Sequence, residues 1–324
     1  MVRYKNKHII TGSTNHLGNF GNQNIVVPFG ICYNNNTIAV TGNTSLVGFN
    51  NNYEQIFVTT PTAIFDDING IVYNPYGKKI VADNSGTPAT YLTVGYYSGN
   101  IYATYGDNTE LNIVFSNTNG YRFNYLTIGI LHNKVYLYVT EYYKTNTVFV
   151  FDCSTVPYKI VSGYPLVPNA FKDQAPPNYI LSNIANIYGA LYVLYWPADI
   201  DTNTNTNKKG YGAINIYATN GKLIKKLIPE NTNKWLSFPN SIIPEIDACG
   251  NPTKNVIVSN SNCNINVFNE NGKYVRTISV CNEPFNTHKN ILLANGTKDN
   301  IFYSDFVDLN GTSNAFINIL TPCC

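Results

Sequence analysis

One phrase is written twice in this chain: INIYATNGKLIKKLI at Ile214–Ile228 and INVFNENGKYVRTIS at Ile265–Ser279. Position by position the copies agree in kind: Ile-Asn-aliphatic-aromatic, a short variable stretch, Asn-Gly-Lys, then an apolar alternation. Apolar residues two apart line one face of a strand, so each copy reads as two strands. Asn220-Gly221 and Asn271-Gly272 supply the positive φ values that a tight hairpin turn needs. Lys225 and Lys226 leave part of the first return strand facing water, as on a protected sheet edge. An isolated hairpin is marginal in water, so each copy must belong to a larger sheet. A repeat distance on the order of fifty residues points to repeated sheet units, as in a propeller or a solenoid.

Weaker relatives of the phrase occur at Leu46–Asn50, Thr93–Tyr105 (with Ser98-Gly99-Asn100 as its turn), Val148–Asp152 and Ala315–Leu320. Upstream of each lies a loop, an apolar strand, a turn and another apolar strand, as in VVPFGICYNNNTIAVTG and YLTIGILHNKVYLYVTE. Four short antiparallel strands repeated six times predict an all-β, six-bladed β-propeller. The expected organisation is a single domain over 1–324, with the blades in 24–320 and a Cys-containing tail at 321–324. Residues 1–23 form a lead-in whose strand Tyr4–Thr11 completes the last blade and closes the ring. The polar insertion Pro197–Gly212 is expected to be a solvated loop.

Composition narrows the function classes. Charged residues make up 12% of the chain and the net charge is +2, which leaves no electrostatic footprint for nucleic acid or an acidic membrane surface. No apolar run is long enough to span a bilayer, and the start, MVRYKNKHIITGSTNH, lacks the apolar centre of a signal peptide. Seven cysteines in 324 residues do not make a small disulfide scaffold. Cys249 and Cys263 flank the expected strand Val256–Ser259 and Cys281 follows the next hairpin, so two of these three could meet within one blade. Cys323-Cys324 ends the chain, where a flexible tail could form disulfides to other protein subunits. Reduced cysteines that pack as small apolar residues are the alternative.

The order of motifs resembles an uncharacterised six-bladed propeller family related to NHL-repeat proteins. VVPFG at Val26–Gly30 is similar to the Asn-Pro-Trp-Gly start of that family's first blade, with Phe29 in place of Trp. DINGIVYN stands where a Pro-Thr-Gly-Ile motif opens blade two, and FKDQAPPNYIL at Phe171–Leu181 is a shortened version of the stretch before blade four. The resemblance runs from about Asn24 to Leu320 and implies the fold but no agreed activity. The Asn-, Lys- and Tyr-rich style is similar to that of proteins from amoeba-infecting giant viruses, which implies a virion or host-cytoplasm location.

Metal-dependent lactonase-like propellers place Asn, Asp and Glu around the inner strands, where oxygen ligands suit a hard cation such as calcium. The corresponding loops here offer Asp67, Asn69, Asn178, Asn240 and Asn290, with one carboxylate among them. His8, His16, His132 and His288 show no metal-ligand spacing, and there is no Gly-x-Ser-x-Gly elbow or phosphate-cradling loop. DIDTNTNTN from Asp199 lacks the Gly and Glu of an EF-hand. The leading expectation is therefore a non-enzymatic propeller with no cofactor, serving a structural or binding role toward proteins or a surface ligand. The alternative is a metal-dependent lactonase-like hydrolase with its site in the axial funnel.

Overall fold

A computed structural model describes residues 3–13, 30–34, 36–42, 45–50, 55–59, 66–106, 110–172, 175–198, 210–247, 249, 251–261, 264–279, 288–295, 301–309 and 312–323. Strand β1 (Arg3–Ser13) opens the chain. The first blade follows as β2 (Gly30–Asn34), β3 (Thr37–Gly42), β4 (Ser45–Phe49) and β5 (Gln55–Thr59). The second is β6 (Ile68–Tyr73), β7 (Tyr91–Gly95), β8 (Ile101–Ala103) and β9 (Asn112–Phe115). The third is β10 (Phe123–Leu131), β11 (Lys134–Glu141), β12 (Thr147–Asp152) and β13 (Lys159–Ile160). The fourth is β14 (Tyr179–Ile187), β15 (Ala190–Pro197), β16 (Ala213–Ala218) and β17 (Leu223–Ile228). The fifth is β18 (Pro239–Ile246), β19 (Pro252–Asn260), β20 (Asn264–Phe268) and β21 (Tyr274–Ser279).

The expectation of a six-bladed propeller is corrected. Five blades have four antiparallel strands taken from consecutive segments; the remaining four-stranded sheet joins β22 (His288–Asn295), β23 (Ile301–Leu309) and β24 (Thr312–Cys323) to β1. This terminal sheet lies between β18 of the fifth blade and β2 of the first. Its β24 is twelve residues long and pairs with β1 as far as Arg3 opposite Cys323. Residues 321–323 are thus ladder and not a loose tail. Within blade two, the turn at Ser98–Asn100 joins the second and third strands, β7 and β8, and not the outer pair.

Both faces of each interior blade are covered, which explains why the strands read as nearly unbroken apolar runs. Along β11, Leu137 and Val139 pack with Leu92, Ile101 and Val114 of blade two. The alternating residues Tyr136 and Tyr138 pack the other way, with Leu181 and Val193 of blade four. Leu194, Ile214 and Ile216 continue the layering onto Val256, Val258 and Phe268 of blade five. Ile257 and Val267 reach Leu293 and Ile301 of the terminal sheet. Each such fully buried side chain contributes about 1.5–3 kcal/mol relative to exposure.

The twin phrase forms the outer hairpins of blades four and five. In the first, Gly221 N–H donates to Ala218 O (2.9 Å) and Ala218 N–H to Lys222 O (2.9 Å). The second repeats this with Gly272 to Asn269 (2.8 Å) and Asn269 to Lys273 (3.0 Å). Only the glycines, at φ +86° and +73°, take positive φ; the preceding Asn residues do not. The turn is therefore a type I turn closed by a glycine bulge rather than a pair of left-handed residues. The glycine has a second duty. A Cβ on Gly221 would strike Ala170 of the linker from blade three, and one on Gly272 would strike the Leu227 carbonyl of blade four. Lys225 of the first copy in turn donates to Glu270 O (2.8 Å) beside the second turn. The phrase recurs because each copy receives the preceding blade at its turn.

Candidate functional site

The inner strands β2, β6, β10, β14, β18 and β22 surround a cavity of about 190 Å³, to which Gly30, Gly70, Tyr125, Asn183, Ser241 and Leu293 each contribute. Five of these strands carry a register shift at their start, at Asn69/Ile71, Phe123/Leu126, Leu181/Asn183, Pro239/Ser241 and Lys289/Leu292. A bulge bends its strand and re-aims side chains, here at the same point in blade after blade. Gly30 and Gly70 mark the closest approaches: a Cβ on Gly30 would meet the Gly70 backbone at 2.8 Å, and one on Gly70 (φ +55°) would meet Asn124 O at 3.1 Å. That is the physical content of the glycines in VVPFG and DINGIVYN.

Beside the cavity a belt of hydrogen bonds passes from blade to blade. Asn69 Nδ2 donates to Asn124 Oδ1 (3.0 Å), and Asn124 Nδ2 donates to Ser182 O (3.1 Å). Ser182 Oγ donates to Pro239 O (2.9 Å) and Asn183 Nδ2 to Asn240 O (2.5 Å). Leu293 N–H then donates to Ser241 Oγ (3.3 Å), carrying the belt to the terminal sheet. Deeper in the cavity, Asn186 receives Gly189 N–H on Oδ1 (3.0 Å) and donates through Nδ2 to Ile128 O (2.8 Å). Burial pushes the Tyr125 phenol far up, so it stays neutral. No carboxylate lies among the described residues lining the cavity.

None of Asp67, Asn69, Asn178 and Asn240 lines the cavity. Asp67 is half-buried before β6; burial, and then the neighbouring Asp66 carboxylate, raise its carboxyl above the usual range. Asn69 and Asn240 belong to the belt, and Asn240 Oδ1 accepts from Ser261 Oγ (3.1 Å). Asn178 is an exposed turn residue at φ +61° whose carbonyl receives Ala198 N–H (2.8 Å). Asn290 falls in β22, and its side chain lies outside the described residues. A hard cation takes six to eight oxygens. Among the described belt residues, Asn69 Oδ1 is a buried oxygen without a partner. Among the described residues no three His, Cys, Asp or Glu side chains are grouped to hold a metal ion.

The described residues include only part of the cysteine set expected to form disulfides. Cys249 is an exposed free thiol, and Cys32 and Cys153 are also free. Burial pushes the Cys32 and Cys153 thiols far up, which makes them inert packing groups. Cys263, Cys281 and Cys324 lie outside the described residues, as does the side chain of Cys323.

Sequence reasoning passed over the carboxylates that the fold uses. Asp66, 1% exposed, accepts Tyr97 N–H (2.9 Å) and Tyr102 OH (3.2 Å) and also binds Ser98 Oγ. Glu141 accepts the backbone N–H groups of Arg122, Tyr143, Lys144 and Thr145 together with the Thr145 hydroxyl. Glu245 pairs with Arg276 and accepts from Asn255 Nδ2 (2.7 Å). All three organise turns or strand ends inside one blade. Their only signal in the sequence was a carboxylate within or beside an apolar run.

Antiparallel four-stranded blades about a central cavity define a β-propeller. No family model matches the chain. It is 31% identical over 141 residues to uncharacterized protein R648 of Acanthamoeba polyphaga mimivirus, covering 43% of this chain and 34% of that protein. It is likewise 31% identical over 141 residues to uncharacterized protein L690 of the same virus, covering 43% and 36%. The chain thus spans about a third of the length of the curated relatives it matches. Its fold is similar to Raptor from Chaetomium thermophilum, with a TM-score of 0.51 and 9% identity, over 99% of this chain and 30% of that one. It also resembles the Pan2 WD40 domain of Neurospora crassa, at a TM-score of 0.49 and 9% identity over 89% and 74% of the two chains. The two mimivirus matches bear out the relationship to giant-virus proteins, and none of these matches carries the NHL-repeat relationship. Among the described residues no helix is long and apolar enough to cross a membrane.

Proposed function

We propose that this chain is a non-enzymatic propeller that binds other proteins or a surface ligand, as a structural component of a giant-virus particle or of the infected cell. The observation that carries this reading is the belt: polar side chains beside the axial cavity tie one blade to the next. A group committed to holding the ring together is not free to change partners during a reaction. The surface offers what an interface uses. Tyr97, Tyr143, Tyr164 and Tyr188 are each at least 60% exposed, and the Arg122 guanidinium lies 4.3 Å from the Tyr143 ring centre. Tyr and Arg are enriched at binding surfaces because they present large contact area with few rotatable bonds or a planar fork. The relatives in mimivirus support the viral setting.

Calcium titration followed by thermal unfolding tests the reading, together with an assay of lactone hydrolysis. The expected result is an unfolding midpoint unmoved by millimolar calcium and no turnover. A calcium-dependent rise in the midpoint, with lactone hydrolysis lost in Asp67→Asn, would overturn it.

A further inference from the structure

The outer edge of blade three is open where the other four consecutive-strand blades are closed. Strands β5, β9, β17 and β21 have 5, 4, 6 and 6 residues, but β13 has 2. It covers only Phe151 and Asp152 of the six-residue β12, and Val161 N–H reaches one step further to Val150 O (2.8 Å). In an antiparallel strand, successive residues direct their N–H and C=O to alternate sides. Val148 therefore presents both groups to the same side as Val150, and among the described residues nothing meets them. An unpaired backbone donor and acceptor on an otherwise buried residue is an unfilled ladder position.

Beyond Val161 the chain leaves the edge at Gly163 (φ +76°) and docks on the next blade. There Val167 N–H donates to Asn220 O (3.0 Å) and Phe171 N–H to Gly221 O (3.1 Å), both in the first copy of the repeated hairpin. The departure leaves a groove of about 540 Å³ between β12 and this loop, with apolar walls from Val148, Val150, Ile160, Leu166, Val167 and Phe171. That volume is within the range of sites that take a ligand of several residues' bulk. Thr147 also lines it and holds a buried Oγ1 with no partner. The far wall keeps Asn169 and Phe171 at φ +54° and +65°, costly for a bulky side chain, yet both backbone bonds to the hairpin hold it in place. Among the described residues lining the groove, Lys172 is the only charged one.

We infer that this groove takes an extended peptide segment of a partner protein as an added strand on β12, with alternate apolar side chains in the groove. Main-chain bonds to Val148 provide the affinity of such strand addition, and the apolar walls select side chains on one face. This inference rests on the reading of the chain as a binding module.

Two measurements on the full chain test it. In the free protein, amide hydrogen exchange is expected to be at least about tenfold faster at Val148 than at its neighbour Phe149, which bonds inward to β11. A random heptapeptide library displayed on phage is then selected against the protein, and the enriched peptides are synthesised. They are expected to alternate apolar residues and to slow Val148 exchange when bound. They should lose at least about tenfold in affinity on N-methylation of alternate amides or against Ser162→Trp, an exposed groove position where bulk does not disturb the core. Val148 exchanging as slowly as Phe149 would show a closed edge and overturn the inference without touching the binding-module reading. Enriched peptides that leave Val148 unchanged would also overturn it, while upholding that reading. No enrichment at all would count against both.

Discussion

Two glycines in this chain look interchangeable on paper and are not. Gly272 and Gly86 both sit at positive φ, +73° and +79°, but a Cβ on Gly86 meets nothing within 4 Å whereas one on Gly272 strikes the Leu227 carbonyl. Gly86→Ala should cost about 1 kcal/mol, the conformational penalty alone. Gly272→Ala should cost about 3 kcal/mol, because backbone must move as well; urea denaturation of the two variants makes the comparison. Among the carboxylates, burial pushes Glu141 upward, but the Lys144 and Thr145 N–H groups, the Thr145 hydroxyl and the Arg122 N–H together outweigh it and hold its pKa below the usual value. A carboxyl lowered on folding stabilises the native state above the ordinary carboxylate range, and that contribution is lost as pH falls through the lowered value. Glu141→Gln should therefore lose about 2 kcal/mol at neutral pH, where the charge-assisted bonds are intact. The gap from the parent protein should narrow as denaturation curves are taken at progressively more acidic pH.

At the scale of elements, the belt couples strands that never pair. Asn124 stands between blades two and four, accepting from Asn69 and donating to Ser182. Asn124→Ala should destabilise by about 2 kcal/mol, since it leaves the Asn69 amide and the Ser182 carbonyl without their partner. Asn69→Ala combined with it should cost less than the sum, the signature of a shared bond; a double-mutant cycle in urea reads this directly. The belt was half legible. A polar residue, one spacer and an aliphatic residue recur at the inner-strand starts: Asn69-Gly70-Ile71, Asn124-Tyr125-Leu126, Ser182-Asn183-Ile184 and Asn240-Ser241-Ile242. Of these, Asn69 and Asn240 are the ones that the likeness to lactonase-like propellers marks as candidate cation ligands. Whether an amide faces a cation or the next strand depends on a bulge and on the distance to the neighbouring blade, and neither has a local signature.

For the whole molecule, the two ends of the chain meet in one sheet. Residues Arg3–Ser13 pair with β24 along its length, through a register shift between His8 and Ile10. A variant lacking residues 1–13 would expose β24 as a long unprotected edge, which templates pairing with other chains. Its unfolding midpoint should fall by several degrees and size-exclusion chromatography should show multimers, while the full chain stays in one peak. A truncated protein with unchanged midpoint and elution would mean that the terminal sheet contributes little to holding the ring.

By itself the sequence determined what is local or periodic: strands from alternation, hairpins from Asn-Gly-Lys, and repeated sheets from one phrase written twice. Those signals survive because strand pairing between neighbours in sequence is set by turn geometry and by which residues must leave water. The tertiary structure alone decided the long β24 and its register against β1, carried as far as Arg3 opposite Cys323. It also decided that the axial amides bond to each other and that blade three keeps an open edge. Each of these depends on groups brought together from distant parts of the chain, where spacing in the sequence says nothing about separation in space.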